Sequence, residues 1–151
     1  SIYIEPRVVL QQGELTITQI KTEYGLGDRH IPQQVYYSVV DRKQQQHLKL
    51  YDIIKANKRV TFGLYLEESY KKWLSEQQNS QNYIDKIYWA NQDWFFDEHG
   101  VAIYYRGADL KQAKAADAKF EDFTLYLNKE QINDWIVEDM VNKMGFKMTD
   151  S

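Results

Sequence analysis

The sequence predicts an α+β fold, an antiparallel β-sheet with two or three helices packed on one face. Three observations carry that expectation. Trp94-Phe95-Phe96 and Val101-Ala102-Ile103-Tyr104-Tyr105 flank Asp97-Glu98-His99-Gly100. Two aromatic and β-branched runs about a Gly, which supplies the positive φ of a tight reversal, read as a β-hairpin. Ahead of it, residues 61–78 set Leu64, Tyr65, Tyr70, Trp73 and Leu74 at helical spacing, with Glu67, Glu68, Lys71, Lys72 and Glu76 on the remaining arc. Behind it, Phe120 to Leu127 alternate as a strand, so the hairpin should lie mid-sheet with the helix across one face.

The other elements follow in order. Residues 2–10 contain Pro6, which cannot donate to a ladder, and so suggest an edge strand; Gln12-Gly13 marks the turn after it. Residues 14–21 alternate polar and apolar, with Leu15, Ile17 and, after a slip, Ile20 inward. Residues 24–32 hold two glycines, Asp28 and Pro32, which predicts the first true loop and a candidate functional one. Val35 to Val40 form another strand, His47 to Leu50 a short one, and Tyr51 to Ile54 a single helical turn. The residue 61–78 helix should begin near Phe62 or Gly63, and residues 82–89 could be a short helix or an extended link. Residues 106–119 predict a helical turn inside an exposed loop, because they lack an apolar stripe. Asn128, followed three residues later by Gln131, approaches a capping box and opens a final helix. Its inner face is Ile132, Trp135, Ile136, Met140 and Met144, and it stops near Gly145.

At 151 residues the chain suits one domain, residues 1–151, with a real core. Twelve Tyr, six Phe and four Trp fit strands with half-wet faces. A net charge of −3, with no long basic run, gives no footprint for a phosphate backbone, so nucleic acid is an unexpected partner. The absence of Cys excludes disulfides and thiolate chemistry. No apolar run approaches the ~18 residues of a membrane span. Ser1 followed directly by a strand-like Ile2-Tyr3-Ile4 reads as a processed start, with any targeting segment removed.

Chemistry-bearing patterns are sparse. His30, His47 and His99 form no HxH, HxxxH or HExxH arrangement, so neither a metal site nor a cofactor is expected. Asp93, Asp97, Glu98 and His99 cluster around the hairpin, where residues of this kind are more readily turn formers than acid and base. The chain is therefore expected not to be an enzyme.

Three blocks carry a family resemblance: residues 24–30 (Tyr-Gly-Leu-Gly-Asp-Arg-His), 36–41 (Tyr-Tyr-Ser-Val-Val-Asp) and 48–54 (Leu-Lys-Leu-Tyr-Asp-Ile-Ile). Their order is similar to the "Gly-Gly-Ala-His … strand … Leu-Thr-Leu-x-Asp-Leu-Phe" progression of the RsiV-like extracytoplasmic domain. The helix around Tyr70 to Leu74, the hairpin at 94–101 and the strand Phe123 to Leu127 resemble that family's later elements. The resemblance runs from about residue 15 to 136. It implies an antiparallel sheet covered by helices, in a non-enzymatic recognition domain of the periplasm or cell envelope. Relatives of that kind are lysozyme-sensing anti-sigma factor ectodomains and envelope lipoproteins. By position Gly27 and His30 match the family's Gly-Ala-His loop, and Tyr105 to Lys114 its Pro-Tyr loop, where this chain carries Gly107-Ala108 and Gln112-Ala113 instead.

The expected ligand-binding residues are thus Gly27, Asp28, Arg29 and His30 in one loop and Tyr105, Arg106 and Asp109 in the other. The expected partner is a lysozyme-like protein or a peptidoglycan fragment. A toxin-neutralising immunity protein is the alternative, since a small acidic domain without catalytic groups suits the covering of a basic active site.

Overall fold

A computed structural model describes residues 2–26, 29–115 and 120–146, with side chains described for 4–23, 33–115 and 120–146. The fold is α+β. Strands β1 (Ile2–Gln12), β2 (Leu15–Leu26), β3 (Arg29–Asp41) and β4 (Gln46–His47) form one antiparallel sheet in that order. Strands β5 (Trp94–Phe96), β6 (Val101–Tyr105) and β7 (Phe123–Leu127) form a second, with β6 in the middle. The helices are α1 (Leu50–Ile53), α2 (Arg59–Ser75), α3 (Gly107–Leu110), α4 (Lys129–Trp135) and α5 (Glu138–Lys143).

The β1–β2 turn forms where expected, on Gly13 at φ +54°. β1 is the outer strand, and its Pro6 lies opposite Ile20, which in turn lies opposite Tyr36. Tyr37 N–H and Val35 C=O point away from β2. By alternation, Tyr36 and Ile20 exchange the ladder bonds, and the Pro6 nitrogen faces the open side. The 24–32 loop is a correction: β2 runs on to Leu26 and β3 starts at Arg29, with Gly25 opposite His30 and Leu26 opposite Arg29. Cross-strand pairing of the flanks outweighs the breaker residues, and Gly-Asp is itself a two-residue hairpin signal. Pro32 falls in a register shift, where a missing donor costs least.

The lower ends of β2 and β3 enter the core through Leu15, Ile17 and Val39. No side chain of residues 4–9, 18–23 or 33–38 is fully buried, so β1–β2–β3 continue outward as a three-stranded arm. β4 ends at His47, and Leu50 opens α1 because the Asp52 carboxylate accepts the Lys49 N–H at 3.0 Å. α2 begins three residues earlier than the pattern suggests and buries Phe62, Leu66 and Tyr70, while Leu64 faces solvent. It crosses the second sheet through Tyr70 and Trp73 on Phe123, with ring centroids 5.4 and 5.2 Å apart. Residues 83–89 form a non-helical link with Tyr83 and Ile87 buried, and a turn closes after it where Gln92 N–H donates to Trp89 O at 3.0 Å.

The expected positive φ at Gly100 is absent. The reversal is made by the Asp97 side chain, whose Oδ1 accepts the N–H groups of His99 and Gly100 at 2.8 and 3.0 Å. Gly100 is required for a different reason: a Cβ there would overlap the Leu127 carbonyl oxygen on β7. The Asn128 capping box is present, with Asn128 Oδ1 and Gln131 Oε1 each accepting the other's backbone N–H at 2.9 and 3.0 Å. The single final helix splits into α4 and α5. Ile136 bridges Ile54 and Val137 N–H donates to Ile53 O at 2.9 Å, so a β-branched pair leaves the helix to join the exit of α1.

Candidate functional site

The two sheets meet without a shared ladder, and the joint is made by side chains. Between Val35 and Tyr37 the outer edge of β3 has no strand beside it. Asp93, just before β5, accepts the Tyr37 N–H on Oδ2 at 2.9 Å. Arg106, just after β6, donates from Nη1 to Val35 O at 3.2 Å and to the same Asp93 Oδ2 at 2.6 Å. The pair thus offers β3 one acceptor and one donor, as a residue of a neighbouring strand would. The Arg106 side chain is 12% exposed. Its guanidinium also bonds Asp109 Oδ2 at 2.9 Å and lies 4.2 Å from the centroid of the Tyr36 ring. Burial opposes the charge, yet Asp93 and Asp109 outweigh it and hold the Arg106 pKa above its ordinary value.

These contacts reassign the predicted second loop. Tyr105 is a core residue, 3% exposed, whose hydroxyl donates to Tyr88 O at 2.6 Å; burial raises its pKa. Arg106 is a strut between sheets, and only the Asp109 carboxylate, on a side chain 56% exposed, is open to a ligand. In the first loop, Arg29 and His30 lie on β3, while Gly27 and Asp28 fall outside the described residues. His30 is five residues along β3 from Val35, about 17 Å at ~3.3 Å per residue. The two predicted groups are therefore not one pocket but two stations along one strand.

The carboxylates around the hairpin are also dispersed. Asp93 faces β3, whereas Asp97 Oδ1 holds its own turn and accepts the Tyr126 hydroxyl at 2.5 Å. Burial raises the Asp97 pKa, but Tyr126, His99 and Gly100 as donors lower it further, so it stays ionised. Glu98 and His99 pair at 3.2 Å on the exposed tip. Among the described residues no three His, Asp or Glu converge to hold a metal ion.

What the sequence reading missed is the outer face of the arm. Register places Ile4, Pro6 and Val8 of β1, Thr18, Ile20 and Thr22 of β2, and Gln34, Tyr36 and Ser38 of β3 on one side. None of these nine residues is charged; Glu5, Arg7, Lys21 and Glu23 take the other side. Ile4, Val8 and Tyr36 are 59%, 52% and 38% exposed. The alternation was visible in residues 4–8, but without the register nothing told which side met water. Arg106 and Asp109 border this face through Tyr36.

No protein-family model matches the sequence, and no curated protein does. Two solved structures share its fold. A DUF3298 family protein of Pseudomonas aeruginosa PAO1, PA4972, superposes with a TM-score of 0.66 at 16% identity over 98% of this chain. A DUF3298 member of Bacteroides fragilis NCTC 9343, BF2082, superposes at 0.67 with 17% identity over 95%. The chain spans 65% and 57% of those two proteins. Its fold is that of the DUF3298 proteins.

Proposed function

We propose that the chain is a non-enzymatic recognition domain of the periplasm or cell envelope, related to the RsiV-like ectodomains, that binds a lysozyme-like protein or a cell-wall glycan fragment. The observation that favours binding over catalysis is the employment of the polar groups. Asp93, Asp97 and Arg106 are each spent on backbone atoms or on one another, whereas the arm presents uncharged Ile4, Val8 and Tyr36 exposed on one face. Under this reading the ligand meets the arm from the β2–β3 tip, with Asp28, Arg29 and His30, down to Tyr36 and Asp109. A net charge of −3 suits a basic protein ligand.

Calorimetric titration with lysozyme at two salt concentrations tests the reading. Binding that weakens with salt supports it. It should also weaken in the Asp28→Ala/Arg29→Ala/His30→Ala variant and in Tyr36→Ala, with little change in melting temperature. If neither lysozyme nor a muropeptide mixture gives heat, or if both variants bind as the parent does, the reading fails.

A further inference from the structure

The outer strands of the two sheets are not treated alike. β1 turns the Pro6 nitrogen to its open side, and β3 is capped between Val35 and Tyr37 by Asp93 and Arg106. β7, the last strand of the second sheet, has no such guard. Phe123–Leu127 contains neither proline nor a charged residue, and its pairing with β6 runs from Tyr105 opposite Phe123 to Val101 opposite Leu127 without a register shift.

The direction of its backbone groups follows from its neighbour. Tyr104 N–H donates to Asp93 O at 2.9 Å, on the β5 side, so Ile103 and Tyr105 exchange the ladder bonds with Leu125 and Phe123. The N–H and C=O of Thr124 and Tyr126 therefore point away from β6, and no described residue bonds them. α2 packs on the other face, against Phe123. Thr124 is exposed, and the Tyr126 ring leans back over β6: its hydroxyl donates to Asp97 at 2.5 Å, and its Cε1 would stand 3.0 Å from a Cβ on Gly100. None of these three groups lies across the edge.

An open strand edge fits one kind of partner, another extended strand. We propose that β7 pairs antiparallel with β7 of a second copy, joining two three-stranded sheets into one continuous sheet. With the twofold axis at Leu125, Thr124 exchanges both of its bonds with the second copy's Tyr126, and Tyr126 with its Thr124, so every outward N–H finds a C=O. Leu125 meets its own counterpart, and no charge within the pairing faces its like. Beyond the pairing, the same count sets exposed Glu121 toward the second copy's Lys129, also exposed. Asp122 is already spent on the Tyr104 hydroxyl and the Gly107 N–H, and Glu130 falls toward Phe120. A foreign strand could match the backbone but would not bring this exchange of unlike ends. The contact consumes the same edge on both copies, so it closes at two. Such a dimer presents two arms, each with its exposed Ile4, Val8 and Tyr36.

The test is sedimentation velocity of the whole chain through a concentration series into the millimolar range, with amide hydrogen exchange read at both ends of the series. A monomer–dimer equilibrium is expected. The Thr124 and Tyr126 amides, fast in the dilute protein, should slow as the dimer fills. Thr124→Pro removes one outward N–H from each copy and none from the β6 ladder. It should raise the dimer dissociation constant about 25-fold, at about five-fold for each of the two bonds lost. Circular dichroism should show the variant folded as the parent, and if it is not, the two amides of the parent decide alone. A monomer at every concentration overturns the proposal. So does a dimer in which both amides still exchange at the monomer's rate, or one that folded Thr124→Pro leaves unchanged.

Discussion

Lys143 Nζ stands 3.1 Å from Asp41 Oδ2 across 102 residues of chain. The carboxylate is 1% exposed, and the ammonium also reaches Glu14 and Asp139, each at 3.3 Å. The contact fastens α5 to the base of the β2–β3 hairpin. Burial raises the Asp41 pKa, but hydrogen bonds from the Gln44 N–H and the Lys143 ammonium bring it below its ordinary 3.8. Its contribution to stability is therefore present above pH 3.8 and lost as pH falls through the lower folded value. Lys143→Met should lower Tm by roughly 5 °C at neutral pH. Acid melting curves should show the variant starting to unfold at higher pH than the parent, because Asp41 would then be buried without its cation; coincident acid limbs would contradict the assignment.

Asp93→Ala leaves the Arg106 guanidinium with Asp109 as its remaining counter-ion and frees the Tyr37 N–H, and should cost about 2–3 kcal/mol, below a fully buried pair because both groups keep some water contact. Asp93→Ala combined with Arg106→Leu should be less damaging than the two separate losses summed. Urea titration of the four proteins measures the coupling, and additive losses would show that the pair does not act as one unit.

Tyr105→Phe separates core from site. The variant leaves Tyr88 O without its 2.6 Å donor and should lose about 1–2 kcal/mol of stability while binding any ligand of the arm as the parent does. A ligand affinity that drops with stability unchanged would return Tyr105 to the binding surface.

Two glycines should respond oppositely to Ala. At Gly100 the new methyl overlaps the Leu127 carbonyl, and a loss of at least ~2 kcal/mol is expected from forced separation of β6 and β7. At Gly63 the methyl meets only the edge of Trp89, a side chain able to tilt, against a helix-propensity gain of ~1 kcal/mol. Gly63→Ala should be neutral or stabilising by thermal melt, and a loss as large as that at Gly100 would mean that Trp89 is held rigidly.

Fold class was legible in the sequence because its strongest signals are local. The hairpin at 94–105, the Asn128 cap and the turn at Gly13 each rest on a few adjacent residues. The break at Ile136-Val137 was illegible, since the partner that extends it, Ile53-Ile54, is some 80 residues away in the chain. The split into two sheets was hidden for the same reason: it depends on Asp93 and Arg106 filling a ladder position, which neither residue type announces. Candidate site residues fared according to burial. Asp109 kept an open carboxylate, but Tyr105 and Arg106 looked like ligand contacts only while the strand beneath them was unseen.

The orientation of Pro6 has a consequence for how copies of this chain behave together. A long outer strand beside a flat apolar surface is the usual seed for endless strand-to-strand growth. Here the third residue of β1 to face outward offers no donor, and the register slips again between Val8 and Leu10. An incoming strand would find its hydrogen bonds interrupted within a few residues. The arm can thus keep Ile4, Val8 and Tyr36 in water at high local concentration without the molecules knitting into fibres.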